Sequence, residues 1–161
     1  VELALPSGEV RSFRLPVEIR SGSRAVQDPR HRDVVLVLEN GASRVWQLRL
    51  DRAVSAEELT AGREASRFRS SLGSRLLFCV IGGSASLIMT GTPGRGARSP
   101  WLFDLRSRAW RQLPEAPEAI LSSAAFVAGG RLTIVGGWSK EKSCHGFVQT
   151  LPLEPLGDWS V

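Results

Sequence analysis

Residues 124–137, AAFVAGGRLTIVGG, decide the fold class of this chain. They contain two apolar runs joined by Gly129 and Gly130, and the second run ends in another pair, Gly136 and Gly137. Short apolar runs bounded by glycine are typical of β-strands, and a glycine pair between two such runs is typical of a tight hairpin, whose turn needs positive φ. This stretch therefore predicts an antiparallel β-hairpin.

The same pattern recurs at a spacing of about 50 residues. The middle copy has a hairpin around Gly82 and Gly83, and the first copy is more divergent. The predicted strands are residues 23–27, 34–38, 45–50 and 57–60 in the first unit, 76–81, 86–90, 101–105 and 109–113 in the second, and 124–128, 132–135, 147–151 and a short strand near Trp159 in the third. A fixed period with four short strands per unit predicts the blades of an all-β, propeller-like fold.

The repeats divide the chain into four segments. Residues 1–16 alternate as two strands around a turn and are expected to end a preceding blade, while residues 17–62, 63–117 and 118–161 are expected to be blades one, two and three. Closed propellers need about 4 to 8 blades, so we expect an incomplete propeller. The remaining blades are expected from the rest of a longer chain, another copy or a partner.

These units resemble kelch repeats. A kelch unit ends its second strand in a glycine pair and carries a tryptophan on its fourth strand, and Gly136, Gly137, Trp110 and Trp159 match those positions. The resemblance implies a kelch-type β-propeller whose loops serve as a protein-interaction scaffold. The positions expected to be structural in these repeats are Gly82, Gly83, Gly91, Trp101, Trp110, Gly129, Gly130, Gly136, Gly137 and Trp159.

The catalytic residue sets that we considered are not present in the sequence. Among kelch-like propellers, enzymes that resemble galactose oxidase need tyrosines and histidines for copper, and this chain has no Tyr and only His31 and His145. Cys144 beside His145 is a weak indication of a nucleophile, because neighbouring residues usually point apart. We therefore expect no enzyme, no cofactor and no metal, with an enzyme fragment whose catalytic residues lie elsewhere as a remaining option.

Charge indicates the kind of partner. The chain carries 21 Lys and Arg against 16 Asp and Glu, a formal charge of +5 that favours acidic partners. The loops joining the second and third strands of the units are expected on one face, where they would form a basic patch. The proposed partner-binding residues are Arg44, Arg95, Arg98, Trp138, Lys140, Lys142 and His145.

This patch predicts an interaction module for an acidic or phosphorylated protein. The alternative is a nucleic-acid-associated module of a ribonucleoprotein or chromosome-bound assembly, which the same basic balance suggests.

The cysteines and the hydropathy pattern predict a cellular setting. Cys79 lies in an apolar run, where it is expected to be buried, and Cys144 lies in a polar loop. Two cysteines in such different settings indicate reduced thiols, and no apolar run approaches the roughly 18 residues of a membrane span. We expect an intracellular protein, cytoplasmic or nuclear, without a membrane partner.

Overall fold

The computed structural model describes residues 2–4, 10–12, 14–40, 44–51, 53–60, 75–90, 99–118, 120, 122–137 and 146–160. Within these ranges it contains strands and turns but no helix. The strands are β1 (Glu2–Ala4), β2 (Val10–Ser12), β3 (Arg24–Gln27), β4 (Val34–Leu38), β5 (Val45–Arg49), β6 (Ser55–Glu58), β7 (Arg75–Ile81), β8 (Ser84–Thr90), β9 (Trp101–Asp104), β10 (Ala109–Gln112), β11 (Ala124–Ala128), β12 (Arg131–Val135) and β13 (Val148–Pro152).

The strands form antiparallel sheets in which each strand pairs with its neighbours in sequence. Strands β1 and β2 form a ribbon; β3 to β6 form the first sheet, β7 to β10 the second, and β11 to β13 the third. A partial fourth strand extends the third sheet, because Ser160 and Thr150 exchange backbone hydrogen bonds of 2.8 and 2.9 Å. The predicted all-β class is therefore confirmed, with antiparallel sheets of three to four strands.

The predicted strands agree with the structure best where the apolar pattern is strong. Strands β4, β8 and β12 are each the second strand of a separate sheet. The strand predicted at residues 57–60 lies instead at Ser55–Glu58, where Ser55 pairs with Arg49 of β5. Its residues alternate only weakly in hydropathy, so its register is set by pairing with β5. Residues 53–60 contain no helical turn, and residues 61–74 lie outside the described ranges.

The three sheets pack face to face through two apolar clusters. Strand β8 contributes to both, because Leu87 and Met89 face the first sheet while Ile88 faces the third. This explains why residues 87–89 of β8 are apolar without alternation. The cluster between the first and second sheets contains Leu36, Leu38, Val45, Leu59, Leu87, Met89, Phe103 and Trp110. The cluster between the second and third contains Cys79, Ile88, Leu102, Leu113, Ala116, Ile120, Leu132, Ile134, Leu151 and Leu153.

The glycine pairs have the backbone conformation that the hairpins require. Gly82 and Gly83 have φ of 56° and 72° between β7 and β8, and Gly129 and Gly130 have φ of 54° and 70° between β11 and β12. These left-handed values are unfavourable for residues with a Cβ. Gly136 and Gly137 also have positive φ, at 69° and 150°, so a turn at the end of the strand accounts for them.

Corresponding ends of neighbouring sheets lie together. Strand β7 contacts both β3 and β11, the first strands of the sheets on either side. At one end, Arg75 Nε donates to the Ser123 carbonyl at 3.2 Å, and at the other, the Gly82 amide donates to Glu154 Oε1 at 2.9 Å. We call the end with the β4–β5, β8–β9 and β12–β13 connections the loop end, and the opposite end, with the β7–β8 and β11–β12 turns, the hairpin end.

Candidate functional site

The basic residues proposed for partner binding belong to connections at the loop end. Of these residues the structure describes only Arg44, which immediately precedes β5. The others lie outside the described ranges, as does the repeat position Gly91: Arg95, Arg98, Trp138, Lys140, Lys142 and His145. The described strand ends that flank these connections are at corresponding ends of their sheets.

Arg44 has a partner within the fold. Its Nε lies 3.5 Å from Glu39 Oε2, and Arg20 Nε lies 3.1 Å from Glu39 Oε1. The Trp46 indole donates to the same carboxylate at 3.4 Å. Only 4% of the Glu39 side chain is exposed, so this buried carboxylate needs the two cations. In the free protein Arg44 therefore serves the fold, although part of its side chain still reaches the surface.

The tryptophans on the last strands connect neighbouring sheets. Trp110 on β10 is 8% exposed and lies in the cluster facing the first sheet, its ring 5.0 Å from that of Phe103. Trp159, beside the partial fourth strand of the third sheet, packs toward the second sheet and donates to the Pro114 carbonyl at 2.9 Å. Trp110, one of the positions expected to be structural, is thus buried at the contact between two sheets. Trp101 is half-buried at the margin of the same cluster as Trp110.

A polar cleft of about 420 Å³ opens at the hairpin end between the first and second sheets. We call it the inter-sheet cleft. Its floor is apolar and its rim carries three guanidinium groups, together with an amide and a hydroxyl. The lining residues are Asp28, Arg30, Leu36, Gln47 and Leu59 from the first sheet and its loops, and Gly83, Ser84, Ala85, Leu105, Arg106 and Arg108 from the second.

The first wall of the cleft is organised by an ion pair between Asp28 and Arg30. Arg30 Nε and Nη2 bind the two carboxylate oxygens of Asp28 at 3.0 and 2.7 Å. The hydrogen bond from Arg30 holds the pKa of the buried Asp28 carboxyl below its ordinary value of 3.8. The Arg30 guanidinium also lies over the Phe78 ring of the second sheet, 5.3 Å from its centre. Its orientation is therefore fixed from both sheets.

The second wall contains a strained residue, Arg108. Its φ is 56°, in the left-handed region that glycine and asparagine occupy at lower cost. Its Nη2 reaches across the sheet boundary to Glu57 Oε1 at 2.7 Å. The two side chains are half exposed, so the pair contributes little to stability by itself. Its main consequence is to hold the Arg108 guanidinium at the rim.

Arg106 lies with Arg108 in the turn between β9 and β10, and this turn determines its position. Asp104 Oδ1 accepts the backbone amides of Arg106 and Ser107, both at 2.8 Å, and the Ser107 bond is the main cause of the lowered pKa of Asp104. The Arg106 side chain is exposed, and among the described residues its guanidinium has no hydrogen-bond or ion-pair partner. Of the three arginines of the cleft, it is the one with its full set of donors available.

Sequence reasoning missed the cleft, although a local signal was present. The tripeptides Asp28-Pro29-Arg30 and Asp104-Leu105-Arg106 both place an arginine two residues after an aspartate at the end of a strand. In each tripeptide the aspartate accepts the backbone amide of that arginine, as Asx-turns do. This pattern predicts turns with exposed arginines, but it does not predict that the turns meet.

The described residues provide little for nucleophilic or metal chemistry. Cys79 is buried, and burial raises the pKa of its thiol to about 12, so it is not a reactive thiolate near neutral pH. Within the described ranges no group of three or more His, Cys, Asp or Glu side chains is arranged to hold a metal ion. In the same ranges there is no helix with the length and apolarity that a membrane span requires.

Comparison with known proteins gives a structural similarity only. No protein-family model matches the chain, and no curated protein matches it. A solved structure described as "Structure of YjhT" is similar, with a TM-score of 0.61 and 14% sequence identity, over 91% of this chain and 47% of that one. At this identity the similarity concerns the fold alone. The chain thus spans about half the length of the chain that it resembles.

Proposed function

We propose that this chain is a three-blade segment of a kelch-like β-propeller and works as a protein-interaction module. The observation that carries the proposal is the open outer face of the third sheet, which presents apolar side chains in the way that a blade presents them to its neighbour. Propeller blades are four-stranded antiparallel sheets stacked around an axis. The three stacked sheets, each with its first strand beside the first strand of the next, support this arrangement.

Within the described residues, the outer face of the third sheet carries exposed apolar side chains beside the polar residues Arg131, Thr133 and Thr150. Phe126 is 50% exposed, Val135 41% and Val148 51%. They lie on one face of neighbouring strands, where Val135 pairs directly with both Ala124 and Val148. Adjacent large apolar side chains at this exposure indicate a surface for association.

The outer face of the first sheet is covered only in part. Leu15 and Ile19 pack against Val35, Val37 and Leu48 on this face. An apolar cavity of about 340 Å³ remains beside them. The third sheet therefore exposes apolar side chains, whereas the outer face of the first sheet is covered by Leu15 and Ile19 except for the apolar cavity beside them.

We infer that a second copy covers these faces when the chain is alone in solution. The matched region takes up 47% of the YjhT chain, so two segments of this size have about the length of that chain. Two copies packed end to end supply six blades, which lies within the range of about 4 to 8 for closed propellers. In a longer chain, the further blades would take the place of the second copy and make the same contacts.

The loop end is the surface that we assign to a further partner. Its connections carry Arg95, Arg98, Lys140 and Lys142, and the charge of +5 favours an acidic or phosphorylated protein. Arg44 is assigned a supporting role because Glu39 already binds it.

Sedimentation equilibrium of the 161-residue chain tests the proposal. We expect association at micromolar concentration, and we expect Val148→Asp to abolish it because a carboxylate in an apolar interface loses its hydration. The matched control is Val80→Asp: Val80 lies on β7 and is equally exposed, at 50%, but it is not on the outer face. A monomeric parent chain, or equal effects of the two substitutions, would contradict the proposal.

A further inference from the structure

We propose that the inter-sheet cleft binds a small molecule that carries an oxyanion group, such as a phosphate, sulfate or carboxylate. This site lies at the hairpin end, opposite the basic connections, and it does not depend on the partner proposed for them. The volume of about 420 Å³ lies within the range of about 300 to 1,000 Å³ typical of small-molecule sites.

The cleft offers an anion a guanidinium that no carboxylate binds. The arginines 30 and 108 are bound by Asp28 and Glu57. The third carboxylate beside the cleft, that of Asp104, is bound by backbone amides of its own turn, so the guanidinium of Arg106 stays available although the charges of the cleft balance. An arriving oxyanion therefore meets an available guanidinium, while the carboxylates remain paired.

The donors are held in place before a ligand arrives. Arg30 is bound by Asp28 through Nε and Nη2, and its ring contact with Phe78 fixes its plane, which leaves Nη1 available. Arg108 uses only Nη2 for Glu57, so Nε and Nη1 can donate. Guanidinium groups bind oxyanions through paired N–H donors, and donors that are already oriented lose less entropy on binding.

The backbone strain at Arg108 points in the same direction. A residue with a Cβ at φ of 56° has a strained backbone, and a glycine at this turn position would avoid that cost. The ion pair with Glu57 is half exposed and does not offset the cost. The strained backbone of Arg108 is explained if its guanidinium, held at the rim of the cleft, binds the oxyanion.

The rest of the lining determines what the oxyanion is attached to. Leu36, Leu59 and Leu105 form an apolar floor, and Gln47 and Ser84 supply neutral hydrogen-bonding groups. Because Leu36 and Leu59 are almost fully buried and most of the accessible lining is polar, the ligand has an anionic group beside the arginines and a compact, mainly polar remainder.

The test is a titration followed by amide chemical shifts in NMR, with inorganic phosphate, sulfate and acetate as probes at constant ionic strength. We expect saturable shifts confined to Gly83, Ser84, Arg106 and Arg108, and the strongest probe identifies the oxyanion class. Arg106→Gln should weaken binding about tenfold or more, as expected for the loss of a charge-assisted hydrogen bond. Arg106→Lys keeps the charge but loses the paired donors, so it should give an intermediate loss.

The matched control is Arg131→Gln, which removes the same charge from an exposed strand position of the third sheet. It should leave the binding constant unchanged. Shifts that increase linearly without saturation for all three probes, or equal losses in Arg106→Gln and Arg131→Gln, would overturn the proposal in favour of general attraction of anions to a basic surface. Because Val148 lies on the third sheet and the cleft lies between the first and second sheets, the sedimentation results for Val148→Asp and this titration can fail independently.

Discussion

Trp110→Ala is the substitution for which the structure predicts the largest loss of stability. Trp110 is 8% exposed, touches Phe103 and belongs to the cluster that joins the first and second sheets. A large aromatic side chain buries about 150 to 250 Å², which at about 25 cal/mol/Å² corresponds to about 4 to 6 kcal/mol. This is an upper bound because the unfolded chain is partly compact. We expect a loss of about 3 to 5 kcal/mol, in agreement with known truncations of this kind.

Urea unfolding followed by circular dichroism, at one protein concentration, measures this loss. For a chain of this size, each kcal/mol lowers the melting temperature by about 2 to 4 °C, so the melting temperature should fall by roughly 6 to 20 °C. Trp110→Phe keeps an aromatic contact with Phe103 and should recover a large part of the stability. Trp101→Ala, at a half-buried position beside the same cluster, should cost less than Trp110→Ala. If Trp110→Ala melted within about one degree of the parent, the assignment of Trp110 to the contact between sheets would be wrong.

Two further predictions concern charge. The first is the reversal to Glu of the four basic residues of the loop end, Arg95, Arg98, Lys140 and Lys142. This change should abolish binding of a synthetic polyglutamate peptide, measured by fluorescence anisotropy, and should change the free energy of unfolding by no more than about 0.5 kcal/mol. Unchanged peptide binding would contradict the assignment of this surface to an acidic partner, and preferential, steeply salt-dependent binding of duplex DNA would favour the nucleic-acid alternative. Because the folded pKa of Asp28 lies below 3.8, its ion pair stabilises the protein above that pH and is lost as the pH falls through the folded pKa. Asp28→Asn should therefore be less stable than the parent at pH 7 in urea unfolding, with the difference shrinking at low pH; a constant difference down to pH 2 would contradict this explanation.

The sequence predicted the strands and turns well because their signals are local. Gly82 and Gly129 each start a pair between two apolar runs, and this pattern determines both the hairpin and its position. Strand β8 could be recognised from its apolar run at residues 87–89, and its residues 85–90 are all buried. Strand β6 was misplaced because its sequence, Ser-Ala-Glu-Glu, has no apolar alternation and is held by pairing with β5.

The inter-sheet cleft was not predictable in this way because it depends on contacts between distant residues. Arg108 and Glu57 are 51 residues apart, and they meet only because the second sheet stacks on the first. The conformation of Arg108 adds a second obstacle, since a sequence pattern predicts Gly or Asn at a left-handed turn position. An arginine at such a position looks like an ordinary exposed charge until its φ is known.

The same reasoning explains why Arg44, which was predicted to bind a partner, is bound within the fold, while Arg106, for which the sequence predicted no role, keeps its guanidinium available. Both are isolated basic residues at the ends of strands, and their local sequences give no reason to distinguish them. Glu39 follows β4 directly and is buried by the packing of the first sheet, so its carboxylate must be neutralised, and Arg44 and Arg20 are the cations within reach. Asp104, in contrast, is satisfied by backbone amides within its own turn, which leaves the Arg106 guanidinium available to the cleft. An arginine can thus bind a ligand only if the nearest carboxylate is already bound by other groups. The partners of that carboxylate depend on the fold and not on the density of positive charge along the chain.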